Sequence, residues 1–157
     1  MSIQITDTFG PALARASKEL PARLKQATHR NAYVAQRAVV KGIRTNSLAV
    51  VAGWPALSSE YARRKRESGG SSKMLIGPDR KSTPRSPDHS GGELMRSYEV
   101  NTQTFSFELG TNNPYARAHE FGYAPRGLPA RPHLKPAVKE AMPEMLENWG
   151  DALRGLI

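Results

Sequence analysis

The pair His119-Glu120 is the part of this chain that most invites a chemical reading. A zinc protease sets two histidines four residues apart on one helix face, with a glutamate after the first acting as general base. Here Tyr123 occupies the place of the second histidine, so the two-ligand face is missing. His29, His89 and His133 stand at no metal-ligand spacing from one another or from His119. Gly69-Gly70-Ser71-Ser72-Lys73 fails as a phosphate loop, because the glycine spacing is wrong and Met74 follows the lysine where a magnesium-binding hydroxyl belongs. With no cysteine there is no thiol nucleophile, thiolate zinc site or disulfide, which fits assembly in a reducing cytoplasm. The expected role of His119 is therefore structural, its ring packed among aromatics and one nitrogen bonded to backbone. No enzyme activity, cofactor or metal is expected; a small hydrolase built on His119 and Glu120 stands as the weakest alternative.

What remains is a docking vocabulary, concentrated in Thr111 to Pro136, TNNPYARAHEFGYAPRGLPARPHLKP. Asn112-Asn113-Pro114 signals a helix start, since asparagine caps and proline suits the first helical position. Tyr115, Ala118, His119 and Phe121 then share a short helical face that Gly122 can end in a left-handed conformation. Beyond it, Pro125, Pro129, Pro132 and Pro136 predict an extended, stiff path from which Arg126 and Arg131 project. A preset path of this kind loses little entropy on binding.

The elements that must position this segment can be read outward from it. Ile3 and Ile5 alternate with polar neighbours, as a short strand or a frayed terminus would. Asp7 or Thr8 caps a helix to about Leu20; Pro21 predicts a kink or restart, and a long amphipathic helix then runs to about Asn46. Ser47 to Gly53 fits a helix extension or a strand, and Trp54-Pro55 ends it. Trp54 reads as a packing anchor, and Ser58 or Ser59 caps a short helix bearing Arg63-Arg64-Lys65-Arg66. Residues 68–92 read as two flexible arms around a buried Met74-Leu75-Ile76, adding Lys73, Arg80, Lys81 and Arg85 but no aromatic to stack a base. A helical turn from Glu93, a strand at Tyr98 to Val100, a turn at Asn101 to Gln103 and a second strand over Thr104 to Leu109 make a hairpin. From Leu134 an amphipathic helix carries Trp149 as a second packing anchor, with Pro143 predicted to kink it or split it in two. The fold class expected is α+β, with long N-terminal helices and a kinked C-terminal helix packed on a small antiparallel sheet.

A chain of 157 residues makes one domain, 1–157, with a flexible basic insertion at about 68–92. Its net charge of +9 is unevenly placed: +5 over residues 1–60 (8 basic, 3 acidic), +5 over 61–96 (9 and 4) and −1 over 97–157 (6 and 7). Such asymmetry suits nucleic acid, an acidic protein ring, or solubility alone. No apolar run approaches the roughly 18 residues that span a bilayer, and MSIQITDTFG lacks a signal-peptide pattern, so a soluble protein that is not exported by itself and has no membrane partner is expected.

Four motifs in order give the chain a resemblance. NPYARAHEFG, followed by LPARPHLKPAV and an amphipathic helix, resembles the tail-completion or virion morphogenesis proteins of long-tailed bacteriophages, the Mu-type and related neck families. GWPALSSEYARRKRESG, KMLIGPDRK and SGGELMRSYEV are similar to the middle section of the same family, and together the motifs cover Gly53 to Val138. One departure is that the usual Thr-Gly-x-Leu turn is here Ser90-Gly91-Gly92-Glu93-Leu94, after a long polar insertion. The resemblance implies a structural virion protein of the neck, assembled in the host cytoplasm, that completes the tail or joins it to the DNA-filled head as part of a homo-oligomeric ring. Its partners would be its own copies, neighbouring neck, portal-adaptor or tail-terminator proteins, and in passing the DNA of the channel. Tyr115, His119, Phe121, Arg126 and Arg131 would dock; Arg63, Arg64, Lys65, Arg66, Lys73, Arg80, Lys81 and Arg85 would meet DNA or an acidic ring face. The alternative from another class is a stand-alone basic nucleic-acid-binding module.

Overall fold

A computed structural model describes residues 9–77, 91–154 and 156. The expected N-terminal strand, the Asp7 or Thr8 cap, and the basic positions Arg80, Lys81 and Arg85 lie outside the described residues. The architecture is α+β and mostly helical. Among the described residues six α-helices, α1 (Phe9–Thr45), α2 (Ser47–Val51), α3 (Ser59–Glu67), α4 (Glu93–Arg96), α5 (Pro114–Phe121) and α6 (Leu134–Leu153), accompany one antiparallel hairpin, β1 (Glu99–Thr102) with β2 (Phe107–Gly110). No helix among the described residues is long and apolar enough to cross a membrane.

The fold is organised on α1, a 37-residue rod of roughly 55 Å. Pro21 was expected to interrupt it, yet α1 runs through without a restart. Proline removes one hydrogen-bond donor, and here it faces solvent, where water can take the orphaned carbonyl of Ser17. An ion pair from Arg23 to Glu19, 2.8 Å long, also straddles the position. Pro143 is likewise exposed inside α6, which continues as one 20-residue helix rather than two short ones.

α1 and α6 pack along a seam of small residues: Ala27, Ala32 and Ala35 on one side, Ala137, Ala141 and Ala152 on the other, all buried. Small side chains let the two backbones approach, and the apolar area removed from water stabilises the pair at about 25 cal/mol per Å². Buried Asn31 crosses the seam, donating to the Met145 carbonyl at 3.1 Å and accepting from the Asn148 amide at 2.8 Å.

Asn46, at φ 64°, ends α1 in the left-handed region and decides the ambiguous Ser47 to Gly53 stretch in favour of the helix α2. The turn folds Leu48 back onto Gly42, where a Cβ would stand 2.4 Å from a Leu48 methyl. Leu48 thereby joins a core of Val39, Ile43, Trp54, Leu75, Leu94, Tyr98 and Ala137. Leu75 is the buried anchor expected within the basic insertion. Residues 68–77 are tied down, not free: Gly70 N–H donates to the Lys65 carbonyl at 2.9 Å, and Met74 N–H to the Asn46 side chain at 3.1 Å.

The hairpin pairs Glu99 with Gly110 and Thr102 with Phe107. Its turn therefore occupies 103–106, later than expected, and Phe105 is exposed on that turn and not in a strand. Phe107 and Leu109 pack on Val34, Ala35, Ala141 and Met145, so α1 and α6 cover the sheet face that two strands alone could not hide.

Candidate docking site

The segment after β2 starts as expected. Asn113 caps α5 by accepting from Tyr115 N–H at 2.9 Å, and Pro114 takes the first position. Gly122 ends α5 at φ 80°, ψ 169°, and a Cβ there would stand 3.0 Å from both Ala130 N and Leu128 O, so only glycine lets the following loop close back on the helix.

Beyond Gly122 the chain departs from the extended path. Ala124–Arg126 form a 3-10 turn, Tyr123 and Leu128 bridge each other antiparallel, and Arg131 N–H donates to the His119 carbonyl at 2.6 Å. The prolines fix φ, but bonds between the chain's own backbone groups fold it into a compact loop. Arg131 accordingly does not project. It is 4% exposed, and its guanidinium donates to the Pro55 carbonyl at 3.2 Å and the Ala56 carbonyl at 3.3 Å. One residue further, the Pro132 carbonyl accepts from the indole Nε1–H of buried Trp54 at 2.7 Å. Trp54 is thus the anchor expected, and Arg131 is a second anchor, not a docking group.

Lys65 makes a comparable correction. Expected among the exposed contacts, it is buried, and its ammonium donates to the Lys73 carbonyl. Burial lowers its pKa first, and the charge of Arg131 adds to that. Burial also lowers the pKa of Arg131, although a guanidinium keeps its proton throughout the accessible range. Both cations are held by carbonyl oxygens: Arg131, with Trp54, staples residues 54–56 onto 131–132, and Lys65 closes the segment 65–73 on itself. Arg63, Arg64 and Arg66 remain exposed; Arg63 and Arg64 lie near Glu67 and Glu60 at 3.9 and 3.6 Å. Lys73 donates to the Thr45 carbonyl at 3.3 Å.

The polar centre of the loop is Glu120, whose weight sequence reasoning missed. Its Oε2 accepts from His133 N–H at 2.8 Å and Leu134 N–H at 3.0 Å, so a carboxylate 14 residues upstream caps α6 at the positive end of its dipole. α6 has no acidic residue in its own first turn and no side-chain cap from His133. The ring of His133 is fully buried, with Nδ1 3.1 Å from both the Arg131 carbonyl and Glu120 Oε2, and Nε2 2.6 Å from the Tyr98 hydroxyl. A neutral ring with its proton on Nδ1 gives every atom a partner, and Tyr98 then donates to Nε2. Burial lowers the His133 pKa, against the Arg131 carbonyl and Glu120, which raise it. Burial, then the Glu120 charge, raises that of Tyr98, keeping the hydroxyl a donor.

His119 occupies the same centre half-buried, but its Nδ1 is buried without a hydrogen-bond partner, in place of the expected bond to backbone. Desolvation, with His133 and Arg131 adding to it, lowers its pKa to about 4. The carboxylate thus serves as a cap, and the ring of His133 packs edge-on against Tyr98; among the described residues no group of three or more candidate ligands is placed to hold a metal ion.

Around this stapled base stand the exposed groups. Tyr115, Phe121, Tyr123 and Arg126 all face solvent, Phe121 at 76% exposure. Phe121 borders a groove of about 630 Å³ whose floor is Tyr98, Ala116, Leu134 and Val138. Trp149, expected as a second anchor, is only half-buried. The structure therefore brings Tyr115, His119, Phe121 and Arg126 together on one loop-helix unit, turns Arg131 inward, and leaves Arg63, Arg64 and Arg66 on the separate helix α3.

The chain matches no protein-family model and no solved structure. It is similar to an uncharacterized protein of the archaeon Methanocaldococcus jannaschii, 29% identical over 102 residues, covering 60% of this chain. The match spans 66% of the archaeal protein's length, just under two thirds.

Proposed function

We propose that the chain is a structural subunit of the neck of a long-tailed bacteriophage, completing the tail or joining it to the filled head within a ring of its own copies. One observation carries this reading: Phe121 is exposed beside an apolar groove, with Tyr115 and Tyr123 exposed on the same loop-helix unit, on a base that buried Trp54, Arg131 and His133 hold rigid. Exposed aromatics on a preorganised support are what an assembly contact requires, because little entropy is lost when the partner arrives. The motif order from GWPALSSEYARRKRESG to LPARPHLKPAV supplies the virion context. The test is electron microscopy of lysates from a phage with this gene interrupted, beside a complemented control. Filled heads separate from finished tails, rejoined by the added protein, are expected; normally joined virions from the interrupted phage overturn the reading.

A second reading has its own observation. The outer face of α1 exposes Arg15, Lys18, Lys25, Arg30, Lys41 and Arg44 along the 37-residue helix. A basic rod of that length suits duplex phosphates, and a nucleic-acid-binding module predicts duplex affinity falling steeply with salt. Affinity unchanged by salt excludes it.

A further inference from the structure

The groove beside Phe121 has a distinctive rim. Its floor is apolar, while Arg117 and Lys135 line its edge. Both are exposed, and neither has a carboxylate partner among the described residues. The one acidic group at the groove, Glu120, is already committed to the amides of α6. The surface therefore fits an apolar ridge that carries its own carboxylate.

Such a ridge exists on the chain itself. In the second half of α6, Leu146 and Leu153 are exposed at 61% and 55%, with Met142 leading into them at 42%. The steps 142, 146, 149 and 153 place these side chains and half-buried Trp149 on one helical stripe. Glu147 flanks the stripe, exposed and in no ion pair among the described residues. Groove and ridge lie on the same helix but at opposite ends. From Val138 to Leu146 and Leu153 the rise is roughly 12 and 22 Å, so a rigid α6 cannot place its own ridge in its own groove.

We propose that the groove formed by Phe121, Ala116, Leu134 and Val138 receives the Leu146–Leu153 ridge of a second copy of the chain, with Arg117 and Lys135 facing that copy's Glu147. This deepens the assembly reading and rests on it in taking the occupant to be another copy. Charge complementarity fixes the polarity of the contact: the basic rim at the start of one α6 meets the acidic flank near the end of another. A contact between two different patches, repeated, builds a ring if its rotation closes.

The absence of cysteine makes a crosslinking test clean. Full-length chains carrying Val138→Cys and chains carrying Leu146→Cys are mixed and mildly oxidised. A covalent mixed dimer is expected, in clear excess over either self-linked product. Adding Arg117→Glu and Lys135→Glu to the Val138→Cys chain is expected to lower the mixed yield roughly tenfold, and Glu147→Lys in the other chain to restore it. Thermal melts of each variant check that the fold is kept, and Gln in place of Glu provides a milder second set. No mixed product, or a yield indifferent to the charge swap, overturns the contact and leaves the groove to another neck protein, with the neck reading judged separately by microscopy. A chain carrying both cysteines that stops at two copies keeps the contact and sinks the ring.

Discussion

Removing the Glu120 carboxylate tests the account of this loop most directly. Glu120→Ala deletes the acceptor of two backbone amides, at 2.8 and 3.0 Å, and leaves the first turn of α6 uncapped. A hydrogen bond to a charged group contributes about 1.5–3 kcal/mol, and a carboxylate at a helix N-terminus about 0.3–1 kcal/mol more. The Glu120 side chain is 15% exposed, so water recovers part of the loss. The net cost comes to about 3 kcal/mol, or a fall in Tm of roughly 6–12 °C for a domain of this size. Urea unfolding followed by far-UV circular dichroism reads it as a lower midpoint with unchanged slope. Glu120→Gln keeps an acceptor oxygen without the charge and should lose about half as much. An Ala variant within about 0.5 kcal/mol of the parent, the usual range for an ordinary surface change, refutes the capping role.

Other consequences of the buried network are equally measurable. Arg131→Glu sets a carboxylate against the carbonyls of Pro55 and Ala56 in a closed site, and at about 3–5 kcal/mol or more it should abolish a cooperative thermal transition, while exposed Arg126→Glu should leave it in place. Gly42→Ala drives a methyl into Leu48 and should cost about 1–3 kcal/mol in the same urea assay. The lowered pKa of His119 has a definite sign: between its usual value near 6.5 and about 4, the unfolded chain binds the proton that the folded chain refuses. Stability should therefore fall as pH drops through that window, and His119→Gln should flatten the slope of melting midpoint against pH; an unchanged slope counts against the burial of that ring.

Local signals carried the helices and failed at long range. Asn113-Pro114, Ser58 before α3 and the apolar steps of α6 are short-range signals, and each sits where its pattern placed it. Pro21 misled because a proline's cost depends on whether water reaches the freed carbonyl, which only the packing decides. The proline-rich loop misled for a related reason: Tyr123 to Leu128 and His119 to Arg131 bonds close it, and no local rule pairs those residues. The basic residues divide on the same principle. Arg131 and Lys65 look like any other exposed cation in sequence, and their burial depends on carbonyls that no local pattern pairs with them, at Pro55 and Ala56 far along the chain for Arg131 and at Lys73 across a loop for Lys65. Glu120 was visible as half of a catalytic-looking pair, while its partners, the amides of residues 133 and 134, have no sequence signature at all.

The alanine seam between α1 and α6 has a weakness that its buried polar crossing at Asn31 offsets. Alanines recur on both helices, so sliding α6 one turn along α1, about 5.4 Å, would still set small residues against small ones. Such a slip would displace both ends of α6, the loop at one and the exposed leucines at the other, by the same step. Asn31 makes the displaced states unequal, because only one setting lets its amide meet the Met145 carbonyl and the Asn148 side chain together. It works as the index mark on a vernier, contributing little to adhesion and a great deal to position, so that every copy sets both ends of α6 at the same place along α1.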